Sequence, residues 1–154
     1  MARRDRKPGA VPRIVFLFGV LALAAATAAS ADQPVSIDLG VAVASNEGSR
    51  VDPQLARIRA ELKAMFDYTS YRVVDRQRRT LAVGETGDFS LPGGRSMRVT
   101  PAPSSGAKVR LAVQIMEGRR NLLTTTLGLS RGGMVVVGGP GYQNGVLILI
   151  IEAE

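Results

Sequence analysis

Val35, Ile37, Leu39, Val41 and Val43 alternate with Ser36, Asp38, Gly40, Ala42 and Ala44. A strand over these residues presents five branched apolar side chains on one face and small residues on the other. After a loop at residues 45–49, Asp52-Pro53 supplies a helix N-cap with proline at the first helical position. Leu55, Ile58, Leu62 and Met65 then recur at helical spacing among Arg57, Arg59, Glu61 and Lys63. This pattern predicts one amphipathic helix from Asp52 to about Phe66, lying on a sheet that includes the first strand. From Ser70 onward the period is two. Residues 71–77, 80–83, 97–100, 109–116, 122–129, 134–137 and 146–151 read as strands, separated by turns at 84–87, 92–94, 101–106, 118–119, 131–133 and 138–145.

A β-α-β start followed by successive hairpins, with no later helix for a parallel crossover, predicts an α+β domain. It is either a mostly antiparallel sheet or a two-layer β-sandwich, with one N-terminal amphipathic helix packed on it. The run Val146-Leu147-Ile148-Leu149-Ile150-Ile151 is apolar on both faces. Such a run is hazardous at an edge, so a central position is expected; the alternative is a surface for a partner's strand. Asn144-Gly145 just before it suits a tight hairpin turn. Gly138-Gly139-Pro140-Gly141 lacks the G-K-[ST] of a phosphate loop and precedes a strand instead of a helix, so it reads as a turn.

The stretch Leu123-Thr124-Thr125-Thr126-Leu127, with Gly132-Gly133-Met134-Val135-Val136-Val137-Gly138-Gly139 after it, resembles a short piece of the bacterial secretin family. Those outer-membrane secretion channels have a Thr-bearing strand, a Gly turn and a strand ending in Gly-Gly. The resemblance spans residues 123–139 and implies a β-hairpin of similar shape. It does not extend to channel formation. Secretins continue with a proline-containing segment and amphipathic membrane hairpins, whereas Pro140-Gly141-Tyr142 leads here into an aliphatic strand. The aromatic girdles and strand count of a membrane barrel are also missing.

The N-terminus changes where this domain is expected to act. Arg3, Arg4, Arg6, Lys7 and Arg13 precede an uninterrupted apolar run over residues 14–26, and Ala29-Ser30-Ala31 offers an A-x-A cleavage site. Residues 1–31 therefore read as a cleaved signal peptide and residues 32–154 as a single α+β domain. Retention as an anchor is the alternative, although 16 residues from Ile14 to Ala29 fall short of the roughly 20 needed to span hydrocarbon. The expected location is periplasmic or extracellular, with no transmembrane segment once the leader is removed. The net charge of +7 falls to +3 without the leader. That mild excess, with Phe66, Tyr68, Tyr71, Phe89 and Tyr142 not interleaved as a stacking platform, argues against nucleic acid.

Cysteine and histidine are both absent. Their absence removes disulfides, a lipid-bearing cysteine, Ser-His-Asp and Cys-His catalysis, and the usual zinc sites. Ser105-Gly106-Ala107-Lys108 matches the S-x-x-K spacing of penicillin-binding serine enzymes, but Pro101, Pro103 and Gly106 place it in a loop, and neither S-D-N nor K-T-G occurs. The carboxylates are dispersed, with no D-x-D calcium loop. No catalytic residue, metal ligand or cofactor is assigned. The densest basic group is Arg72, Arg76 and Arg78, at one strand parity, with Arg79 adjacent. These four are the candidate partner-binding residues, for another envelope protein or an anionic envelope surface.

The sequence therefore points to an exported, non-enzymatic envelope protein acting as a protein-interaction or assembly module, through an edge strand or the arginine surface. Two alternatives are a structural subunit assembling through its C-terminal strand, which would make an oligomer, and a small hydrolase with a carboxylate or Ser-Lys site.

Overall fold

The alternation at the start of the chain builds the first strand, β1 (Val35–Ser45), and its two faces serve two different layers. The computed structural model describes residues 33–154; the leader and its cleavage site lie outside the described residues. After β1 come a 3-10 turn (Pro53–Ile58), a short helix α1 (Arg59–Met65), and strands β2 (Ser70–Leu81), β3 (Gly87–Leu91), β4 (Arg95–Ala102), β5 (Lys108–Glu117), β6 (Arg120–Ser130), β7 (Gly133–Tyr142) and β8 (Gly145–Ala153). They form two four-stranded antiparallel sheets, ordered β2-β1-β8-β7 and β3-β4-β5-β6.

The branched face of β1 enters the inter-sheet core. Ile37, Leu39 and Val41 are fully buried there with Leu147, Leu149 and Ile151 of β8, opposite Phe89, Met97, Val99, Leu111 and Ile115 of the other sheet. The small face of β1 makes room for the helical layer. Leu55, Ile58 and Leu62 pack on Ala42 and Ala44 of β1, Tyr71 of β2, and Ile148 and Ile150 of β8. A larger residue at either alanine would lift the helix off the sheet. The result is a β-sandwich with a helix covering the outside of one sheet, one of the two arrangements that the pattern leaves open.

Local details depart from the sequence reading. The helix begins as a 3-10 turn capped by the Asp52 carboxylate, which accepts from the Gln54 amide at 2.9 Å. Met65 is 56% exposed because the helix ends there and Phe66 leaves in an extended conformation. Residues 71–77 and 80–83 are not two strands; β2 runs through Arg78 and Arg79 to Leu81, with every residue from Asp75 to Leu81 paired to β1. β3 is a strand the pattern does not predict, five residues with only Phe89 and Leu91 as large apolar positions.

Gly138-Gly139-Pro140-Gly141 is not a turn but the second half of β7, accommodated against β8 by a register shift between Gly138 and Gly141. The hairpin turn is Gln143-Asn144, one residue earlier than the sequence suggests, with Gln143 at φ 50° and Tyr142 paired to Gly145. β8 lies between β1 and β7 with Leu147, Ile148, Leu149 and Ile151 buried, so the C-terminal strand is interior and presents no edge for assembly.

Candidate functional site

The four arginines of β2 do not form one patch, because β2 bulges at Val74. Val41 pairs with Asp75 and the adjacent Ala42 with Val73, which inserts one residue and reverses the side-chain parity. Arg76 and Arg78 turn to the helix-bearing face, opposite Gly40 and Asp38, while Arg72 and Arg79 turn to the other face, opposite Val43 and Ile37. No reading of spacing alone could locate this extra residue.

Three of the four are occupied. Arg76 Nε donates to Asp38 Oδ1 at 3.2 Å, and Arg78 donates to Asp38 Oδ2 through Nε at 2.9 Å and Nη2 at 2.7 Å. That hydrogen bond and the charge of Asp38 raise the Arg78 pKa further. Arg79 Nε donates to the Asp88 carbonyl at 2.8 Å, and its guanidinium lies 5.7 Å from the centre of the Phe89 ring, where the attraction of a cation to the ring face adds to the hydrogen bond. Of the four, only Arg72 makes neither an ion pair nor a side-chain hydrogen bond among the described residues.

The same contacts close one side of the sandwich. β2 and β3 end their respective sheets, and Arg79 together with the Gln77 amide bonds the outward main chain of β3. The first part of β2 is covered by residues 50–52, with Tyr71 N donating to Arg50 O and Asp52 N to Tyr71 O, each at 2.9 Å. An edge satisfied in this way has few main-chain groups left to template another strand.

The opposite side is built differently. β6 ends one sheet and β7 the other, and the chain passes between them through Arg131-Gly132, with Gly132 at φ 75° donating to the Ala153 carbonyl. The two strands that resemble the secretin piece are therefore not a hydrogen-bonded hairpin: they arch across the sandwich, each pairing with a neighbour in its own sheet. From Asn121 to Ile151 the only charged residue is Arg131, whereas β2 alone carries Arg72, Asp75, Arg76, Arg78 and Arg79. Between the start of β6 and the end of β7 is an apolar recess of about 230 Å³ lined by Ile115, Leu122, Leu123, Gly138, Gly139 and Pro140. Aggregation-guarding charge, usual on exposed edges, is confined to Arg120 at the start of β6 and Arg131 between the two strands.

Nothing in the described residues gathers three or more of His, Cys, Asp and Glu in one place. Ser105 and Lys108 lie in and just after the β4–β5 loop, where it is the neighbouring Ser104 Oγ that is engaged, donating to the Lys108 carbonyl at 2.6 Å. No described helix is long and apolar enough to cross a membrane.

No family model and no curated protein matches the chain. Among solved structures it has a weak likeness to the T2SS secretin XcpQ from Pseudomonas aeruginosa, with 12% sequence identity and a TM-score of 0.29. The match covers 78% of this chain and 55% of that one, so the chain spans about half the length of that secretin. A TM-score at this level does not establish a shared fold.

Proposed function

We propose that this chain is an exported, non-enzymatic envelope module that binds an extended, uncharged segment of another envelope protein along its β6/β7 side. The single observation that carries this reading is the asymmetry of the two sides. Side chains and residues 50–52 seal β2 and β3, while β6 and β7 are edge strands with no charged residue between Asn121 and Ser130 or between Gly132 and Tyr142. An added strand would satisfy the unpaired main chain and place an apolar side chain in the recess beside Leu122 and Leu123. Export rests on the ordered leader of residues 1–31. Of the edge strand and the arginine surface, the edge is favoured, since Asp38, Asp88 and Phe89 engage three of the four arginines.

Site-specific photo-crosslinking in the intact envelope tests this, with the probe at exposed Thr126 of β6 and, as control, at exposed Arg98 of β4. A discrete hetero-crosslink from Thr126, absent from Arg98 and lost in the Thr124→Lys/Thr126→Lys double variant, is the expected result. A crosslink to a second copy, matched by concentration-dependent assembly in size exclusion, would replace the hetero-partner with self-assembly. No specific crosslink at Thr126 would remove the edge from consideration.

A further inference from the structure

At the end of the sandwich where β1 finishes and β2 begins, two arginines share a face. Val51 forms a parallel bridge with Tyr71, and Tyr71 is buried under the helix. The residues on either side of that bridge turn the other way, so Arg50 and Arg72 project from neighbouring segments towards the rim of the inter-sheet core. Their backbone is fixed. The Ser70 hydroxyl donates to the Arg50 carbonyl at 3.1 Å, and the Thr69 hydroxyl to the Gly48 carbonyl at 2.5 Å. With Ser45, Glu47, Gln143 and Asn144 the two arginines line an open cleft of about 300 Å³.

The charges in this cleft are unbalanced. Arg57, Arg76, Arg78, Arg95 and Arg98 each reach a carboxylate, yet neither Arg50 nor Arg72 does so among the described residues. Glu47, the acid in the lining, accepts from Asn144 Nδ2 at 2.6 Å. Two guanidinium groups held on one face repel each other, and an anion bound between them would relieve that repulsion. Each presents a planar fork of donors matched to a carboxylate. Glu47 at the rim adds a negative charge that disfavours a dianion and offers an acceptor to a neighbouring N–H or O–H group.

We propose that the Arg50–Arg72 cleft is a binding site for a monoanionic carboxylate that carries a hydrogen-bond donor close by. The ligand's source is either a free small acid or the carboxylate of a peptide. This cleft shares no lining residue with the β6/β7 recess, so it stands whether or not that side binds a strand.

The test is an NMR titration of the exported protein, following the arginine Nε–H signals with acetate, inorganic phosphate, a short peptide ending in a free carboxylate and the same peptide amidated. Arg50 and Arg72 should shift saturably with acetate. The Arg50→Gln/Arg72→Gln double variant should weaken acetate binding at least tenfold, with unchanged far-UV circular dichroism, and Arg110→Gln should not. Tighter binding of the acid peptide than of acetate, lost on amidation, would assign the carboxylate to a peptide; equal binding would assign it to a small acid. Phosphate binding more tightly than acetate would overturn the choice of ligand. Shifts that do not saturate, or that affect Arg110 equally, would overturn the site, leaving an adventitious ion only.

Discussion

The side chain of Gln77 pairs with the main chain of Ser90 as a strand would: its Nε2 donates to the Ser90 carbonyl at 2.7 Å while its Oε1 accepts from the Ser90 amide at 3.1 Å. Gln77 belongs to the edge strand of one sheet and Ser90 to the edge strand of the other, so one amide joins the two layers without a ninth strand. Gln77→Ala should cost about 1–2 kcal/mol, two ordinary hydrogen bonds at a partly wet edge. Urea denaturation measures the loss, and faster amide exchange at Ser90 locates it. Exchange at Ser90 unaltered by the substitution would show that the amide does not protect this edge.

Tyr71 ties the helical layer to the sheet. It is fully buried, and its hydroxyl donates to the Phe66 carbonyl at 2.6 Å, with the Leu62 carbonyl 3.2 Å away. Both carbonyls belong to the last turn of α1 and its C-cap, so the phenol caps the helix from below. Tyr71→Phe should cost about 1–3 kcal/mol, because it leaves the Phe66 carbonyl without this donor.

The same residue predicts an alkaline limit. Burial pushes the Tyr71 phenol above its ordinary value of 10.0. The unfolded chain then loses this proton at a lower pH than the folded one. The stabilisation is fully present below pH 10 and is lost as pH rises through the folded-state pKa. Thermal unfolding followed from about pH 9 to about pH 11 should show a falling midpoint, and Tyr71→Phe should flatten that fall. An equal slope in both proteins would assign the alkaline loss to other groups.

Which parts of this architecture were legible follows from how many residues carry each signal. β1 and the Leu55-Ile58-Leu62 stripe repeat one periodicity several times, and the structure buries the apolar face of each. β3 carries only Phe89 and Leu91, and its position depends on β4 beside it and Gln77 across from it, none of which is local. The Gly138–Gly141 segment has turn composition, but β8 needs an apolar neighbour on that side, and pairing overrides propensity there. Arg72 does not share the parity of Arg76 and Arg78, for a single-residue reason: the Val74 bulge reverses parity partway along β2. The Arg50–Arg72 cleft joins residues from a loop and a strand, and a pairwise meeting of that kind leaves no periodic trace.

Gly145 begins β8 under a steric constraint. A Cβ at this position would collide with the Ala44 carbonyl oxygen and approach the Ser45 Cβ at 3.1 Å. Both obstacles belong to β1, which is paired with β8 at this point, so neither can retreat without opening the ladder. Gly145→Ala should therefore destabilise by about 1–3 kcal/mol or more through overpacking. Gly128 has open space around it, and Gly128→Ala is the matched control that should leave the denaturation midpoint nearly unchanged.

The strongest expectation concerns the two faces of β8. Ile148 is fully buried under the helical layer and Leu149 is 1% exposed in the inter-sheet core. With β1 and β7 paired on either side, no direction from this strand leads to solvent. An aspartate at either position would strand a carboxylate in an apolar layer, costing several kcal/mol against a total stability of about 5–15 kcal/mol. Ile148→Asp and Leu149→Asp should each abolish the folded monomer, read by circular dichroism and size exclusion. The two sides of the strand also differ in what they support: Ile148→Ala loosens the helix from the sheet, whereas Leu149→Ala opens a cavity in the sandwich itself, each at about 2–5 kcal/mol. Amide exchange separates them. Ile148→Ala should accelerate exchange in α1 first, and Leu149→Ala in β4 and β5. A folded monomer of Ile148→Asp or Leu149→Asp that had lost only its ability to assemble would make β8 an interface and overturn its interior position.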